Sequence, residues 1–91
     1  MQQNETGQFC VYILYSEQYD KIFIGYSSSL QQRLLSHNML SKKGWTIKFR
    51  PWELVHTEYF EIKMEAMQRE KELKTYRGRE YIRKTLIKNR E

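Results

Sequence analysis

The chain has 91 residues, 40% of them hydrophobic and 14% aromatic, and a net charge of +5. That length suits one small domain with a thin core, and no apolar run nears the roughly 18 residues of a membrane-spanning helix. The single cysteine, Cys10, excludes an internal disulfide and sits in an apolar run as a small buried filler. Nine Lys/Arg balance nine Asp/Glu over residues 1–73, so the whole excess lies in residues 74–91. There Lys74, Arg77, Arg79, Arg83, Lys84, Lys88 and Arg90 face only Glu80 and Glu91. A polyanion partner would explain this, as would a solvated helix face whose cations suit the helix dipole. The polar start MQQNETGQ lacks the order of a secretory signal, so a cytoplasmic protein with no membrane partner is expected.

Residues 1–8 read as a disordered lead, and 9–91 as one domain. Phe9–Tyr15 (FCVYILY) is β-rich and almost continuously apolar, the pattern of a strand buried on both faces. A polar turn, SEQYD, leads to a second strand, Lys21–Tyr26, and the short link favours an antiparallel hairpin. Gly25 inside that strand predicts a bulge or a close approach by another group. Ser27–Ser29 offer N-caps for a helix over 29–39, with Leu30 and Leu34 inward and Asn38 closing it. Residues 40–50 form a basic loop, and Trp52–Phe60 a third strand after Pro51. A helix over 63–76 buries Ile62, Ala66, Leu73 and, less centrally, Met67, and Gly78 ends it. A last helix over 79–88 packs Tyr81, Ile82, Leu86 and Thr85. The order β-β-α-β-α-α predicts an α/β (α+β) fold, a small three-stranded antiparallel sheet flanked by helices.

Glu70 is the most unusual placement, because it falls between Ala66 and Leu73 inside the apolar stripe. A carboxylate there needs a partner. Lys74, four residues on, or Arg33 would supply an ion pair, while a bound Mg²⁺ would use Glu70 as one oxygen ligand. Arg33 and His37 share a helix face and could clamp a phosphate and assist a proton transfer, or be a solvated cation and a structural imidazole. Tyr12 and Tyr26 are strand aromatics. Either belongs to the core or acts as a general base or hydrogen-bond donor once a nearby cation lowers its pKa. Lys42, Lys43, Trp45, Lys48, Phe49 and Arg50 mix cations with aromatics, a composition suited to backbone contact and base stacking, and equally to an ordinary surface loop.

Five fragments in order carry a resemblance: VYIL at 11–14, FIGYS at 23–27, RLLSHN at 33–38, GWT and RPWELV within 44–55, and EAMQREKELK at 65–74. Over residues 9–83 the chain resembles the GIY-YIG nuclease superfamily. It is most similar to small stand-alone members like the N-terminal nuclease domain of the excision-repair protein UvrC. The resemblance implies a three-stranded antiparallel sheet and hydrolysis of a DNA phosphodiester with one divalent metal, Mg²⁺ or Mn²⁺. It implies that Tyr12 is the first-signature tyrosine, Gly25 the second-signature glycine, Arg33 the phosphate-binding arginine and Glu70 the metal carboxylate. His37 matches a histidine found in part of the superfamily. Thr46 with the loop cations, and Lys74, Arg77 and Arg79, are the expected nucleic-acid contacts.

Two positions depart from the family pattern. Cys10-Val11-Tyr12 stands for Gly-Ile-Tyr, and Phe23-Ile24-Gly25 for Tyr-Ile-Gly. Phe23 has no hydroxyl. Tyr12 with His37 would then carry the proton transfer, or Tyr26 would be brought round by a bulge at Gly25, or activity would be weak or absent; the first is favoured. The expectation is a DNA endonuclease with little intrinsic sequence specificity, acting in DNA repair or processing, monomeric by default, with any protein partner unidentified. The alternative is an impaired relative that binds nucleic acid, or, less favoured, a docking module.

Overall fold

An apolar strand with no polar face is stable only at the centre of a sheet with both sides covered. In the computed structural model, which describes residues 8–88 apart from Ser41 and Lys43, the first strand takes that place. β1 (Phe9–Ser16) lies between β2 (Lys21–Ser27) and β3 (Glu53–Phe60), both antiparallel to it, in the order β2-β1-β3. The elements follow the predicted β-β-α-β-α-α order. The expected lead lies outside the described residues except for Gln8.

Alternation along β1 divides two cores. Val11 and Ile13 face one side and join Ile22, Ile24, Ala66, Leu73 and Ile82. Cys10, Tyr12 and Leu14 face the other and join Trp52, with Leu30, Leu34 and Phe49 packed against them. Each fully buried Ile or Leu is worth about 1.5–3 kcal/mol over its exposed state, so β1 contributes to both layers at once. The β1–β2 register is unbroken, with Tyr12 opposite Gly25 and Val11 opposite Tyr26. Of the two readings of Gly25, the bulge is therefore not there and the close approach is; the irregularity falls between Ile13 and Leu14 on the β3 side. Tyr26 consequently packs with the Val11 core rather than beside Tyr12.

α1 (Leu30–Leu35) continues as one π-helical turn, Ser36–Leu40, over the predicted helix. Asn38 does not simply close it. Its amide Nδ2 donates to the Trp52 carbonyl at 3.0 Å, and its Oδ1 accepts from Trp52 N–H at 2.6 Å. This pairing joins the helix to the segment entering β3, across a loop that itself contains a 3₁₀ helix, Trp45–Phe49.

α2 (Lys63–Leu73) buries Ala66 and Leu73 as predicted. Ile62, expected on the buried side, is exposed, as is Met67. Gly78 does not end this helix. α2 stops at Lys74, and Thr75 starts α3 (Tyr76–Tyr81), its hydroxyl accepting from Gly78 N–H at 3.1 Å. The same hydroxyl donates to the Glu72 carbonyl at 2.7 Å, so one side chain caps both helix ends. α3 continues as a π-helical stretch, Ile82–Ile87, with Ile82 fully buried and Leu86 and Ile87 against the same core. Tyr81 and Thr85, expected to pack, are exposed. Arg83 anchors this stretch to the β1–β2 turn through Asp20 at 2.8 Å.

The use of Gly78 is close approach. A Cβ there would press into the carbonyl oxygens of Glu72 and Leu73, 2.5 Å from the latter. Those atoms are backbone at the end of α2 and cannot swing aside. Gly78→Ala is therefore expected to destabilise the fold by about 1–3 kcal/mol, the usual cost of overpacking. Urea unfolding measures this, and an unchanged midpoint would contradict the packing described.

Candidate active site

The site begins with a cross-strand pair. Tyr12 and Gly25 face each other in the β1–β2 register, and the tyrosine ring folds over the glycine. A Cβ on Gly25 would stand 2.8 Å from Tyr12 Oη and 3.0 Å from the Phe23 ring. No side chain fits there without displacing the phenol. So placed, Tyr12 Oη lies 3.2 Å from His37 Nε2. Burial pushes the phenol up to about 12, against the opposing pull of Arg33 and with a further push from Glu70. The expectation that a nearby cation would lower this pKa is thus corrected. Arg33 acts in that direction, but desolvation outweighs it, and Tyr12 is a neutral phenol at neutral pH.

His37 is held on three sides. Its Nδ1 lies 3.1 Å from Thr46 Oγ1. Arg50 donates through Nε to the His37 carbonyl and through Nη2 to the Ser36 carbonyl at 3.0 Å. The Phe23 ring packs on the imidazole with centroids 4.6 Å apart. Trp52 Nε1 donates to the Thr46 carbonyl at 2.7 Å and so fixes the threonine in turn. Burial first, then Arg33 and Arg50, hold His37 below its ordinary pKa of 6.5. The imidazole is neutral at pH 7, with one nitrogen free to accept. The sequence places Thr46 and Arg50 among the nucleic-acid contacts; in the structure both bond to His37.

An open cleft of about 400 Å³ gathers the other predicted residues. Tyr12, Phe23, Gly25 and Arg33 enter it from one face of β2, and Tyr26, Lys63 and Glu70 from the other. The cleft thus straddles an edge strand. Arg33 is exposed and makes no ion pair among the described residues. Glu70, 19% exposed, pairs with Lys74 at 3.3 Å, the local partner the sequence predicted. His37 stands behind Tyr12 and Phe23 rather than on the cleft wall. Lys63 went unread as a site residue, since the first residue of a helix carries no periodic signal; Ser27 and Ser28, read in the sequence only as helix caps, line the cleft beside Gly25.

Among the described residues no three His, Cys, Asp or Glu side chains cluster as metal ligands. That donor set does not suit zinc, which takes three or four protein ligands. It suits a hard cation that binds one carboxylate and keeps most of its waters, and Glu70 is the carboxylate facing the cleft. Of the remaining predicted contacts, Lys42, Trp45, Lys48, Lys74, Arg77 and Arg79 are exposed, while Lys43 lies outside the described residues. No helix among those residues is long and apolar enough to cross a membrane.

A family model described as the GIY-YIG catalytic domain matches residues 8–83. A UPF0213 protein of Bacillus velezensis is 38% identical over 80 residues, covering 88% of this chain and 75% of its own length. A UPF0213 protein of Staphylococcus aureus is 38% identical over 69 residues, covering 76% of this chain and 82% of its own. One from Bacillus pumilus is 42% identical over 55 residues, covering 60% of this chain and 56% of its own. No solved structure matches the chain.

The buried imidazole has a measurable consequence. With its folded pKa below 6.5, His37 binds fewer protons in the folded than in the unfolded chain at mildly acid pH. Stability is then lost as pH falls through the unfolded pKa, until the folded imidazole itself is protonated. The melting temperature of the wild type should fall more between about pH 7.5 and 5.5 than that of His37→Gln. Parallel curves for the two proteins would show that His37 is not buried in its neutral form.

Proposed function

The chain belongs to the GIY-YIG catalytic-domain family, whose domain implies a nuclease-type function, and on that premise we propose that it is a metal-dependent DNA endonuclease. The observation that carries this reading is the meeting of Tyr12, Arg33 and Glu70 on one cleft around Gly25. DNA repair or processing is the setting the reading implies. Arg33 and Lys63 offer charge to phosphates, which hold no sequence information, so low intrinsic sequence specificity follows.

In this reading Arg33 binds the scissile phosphate and counters the charge that builds in the transition state. Water attacks phosphorus; one new P–O bond forms and the bond to the leaving nucleotide oxygen breaks. A neutral phenol of high pKa is a poor base alone. It becomes a proton relay when it can pass its own proton on, and neutral His37 Nε2 at 3.2 Å is placed to accept it. Tyr12 Oη takes the proton of the attacking water as its own moves to His37, whose Nδ1–H rests on Thr46. The leaving oxygen is protonated from solvent. Mg²⁺ or Mn²⁺, held by Glu70 with waters and phosphate oxygens, would neutralise charge on the phosphate and the leaving oxygen.

Phe23 favours a second reading. Its ring lines the cleft beside both Tyr12 and His37 at the place of the second-signature tyrosine, and its want of a hydroxyl would leave an impaired relative that binds DNA without cutting it. Nicking of supercoiled plasmid separates the two. Wild type should nick with Mg²⁺ or Mn²⁺ and not with EDTA, and Glu70→Ala and Arg33→Ala should each lose about 10²–10³-fold in rate. Salt-sensitive DNA binding without metal-dependent nicking would establish the impaired relative instead.

A further inference from the structure

A second open cleft, about 480 Å³, adjoins the first and shares Phe23 with it. Its charged lining among the described residues consists of Lys21, Lys74, Arg79 and Arg83, with no carboxylate among them. Lys74 stands at the junction, since it also pairs with Glu70 of the first cleft. Asp20 holds Arg83 from outside, and Arg79 gives its Nε only to the Lys74 carbonyl, so positive charge remains in excess.

Beside these cations lies an exposed aromatic row. Trp45, on the cleft wall, is 47% exposed, and Tyr19 of the β1–β2 turn is 44% exposed. Both pack on Phe49, with ring centroids 4.8 and 5.4 Å away. The Lys21 ammonium lies 5.5 Å over the same Phe49 ring. Rings exposed beside cations offer stacking faces next to phosphate sites. A duplex already uses its base faces internally and cannot present them to Trp45; an unpaired strand can.

We propose that this second cleft is a binding site for unpaired, single-stranded DNA, with a base against Trp45, a neighbouring base against Tyr19, and phosphates on Lys21 and Arg79. It deepens the nuclease reading, and rests on it in one respect: the strand held here continues from the phosphate at Arg33 past Phe23. Substrates with an unpaired segment next to the cut would gain affinity from it, and a continuous duplex would not.

The binding test is run in EDTA, so that it does not depend on cleavage. Trp52 is buried, so quenching by added DNA reports on Trp45. Oligothymidylate should quench the emission and bind at least about tenfold tighter than a duplex of equal length. Trp45→Leu and Tyr19→Leu, followed by anisotropy of labelled oligothymidylate, should each weaken binding about tenfold, and Lys21→Ala should flatten its salt dependence. Tyr19 sits in a turn, so its variant stays informative if the Trp45 variant proves unstable in a melting curve. Equal affinity for duplex and single strand, or full affinity in the Tyr19 variant, would overturn the proposal. Plasmid nicking without oligothymidylate binding would overturn this site alone. Binding without nicking would support the site and count against the nuclease reading.

Discussion

The contact on which the site depends is the phenol of Tyr12 lying over Gly25. β1 is buried on both faces, so a polar group on it costs free energy unless it is satisfied. Tyr12 is satisfied by His37, and it reaches His37 because the opposite residue has no side chain. The same geometry brings the hydroxyl to the edge of the sheet, where the cleft opens. A strand interior otherwise disfavours glycine, so packing, hydrogen bonding and access to the cleft all rest on one missing Cβ.

Around that contact the chain builds a rigid holder for the imidazole. Thr46, Arg50 and Asn38 each bond across the segment between α1 and β3, and Trp52 closes the arrangement from the core. The electrostatic result is a neutral histidine beside a neutral phenol, with the side chains of Arg33 and Glu70 near the phenol. Burial sets both protonation states; Arg33 and Glu70 only modulate that of Tyr12, and Arg33 and Arg50 add to the lowering at His37. Such a pair can move a proton along itself without ever creating a buried phenolate, whose desolvation would be the larger cost.

Much of this was legible from single residues. FCVYILY read as a strand buried on both faces, Gly25 as a bulge or a close approach, and Glu70 was conspicuous within an apolar stripe. What was not legible depended on atoms distant in sequence. Gly78 looked like a helix end, and is instead a contact with the carbonyl end of α2; a glycine has the same sequence signature in both roles. Thr46 and Arg50 looked like part of a basic loop because composition does not reveal which side chains turn inward. The Tyr12 pKa was misjudged because a cation within reach was visible in the sequence and the depth of burial was not.

The central claim is that the hydroxyl of Tyr12, rather than that of Tyr26 or one lost at Phe23, carries the proton in the proposed cleavage. Removing that one oxygen while keeping the ring is the most direct test: Tyr12→Phe, assayed for metal-dependent plasmid nicking beside a thermal melt. The account predicts a folded protein whose nicking rate falls by about 10²-fold or more. A folded Tyr12→Phe protein that nicks as fast as the wild type would contradict it.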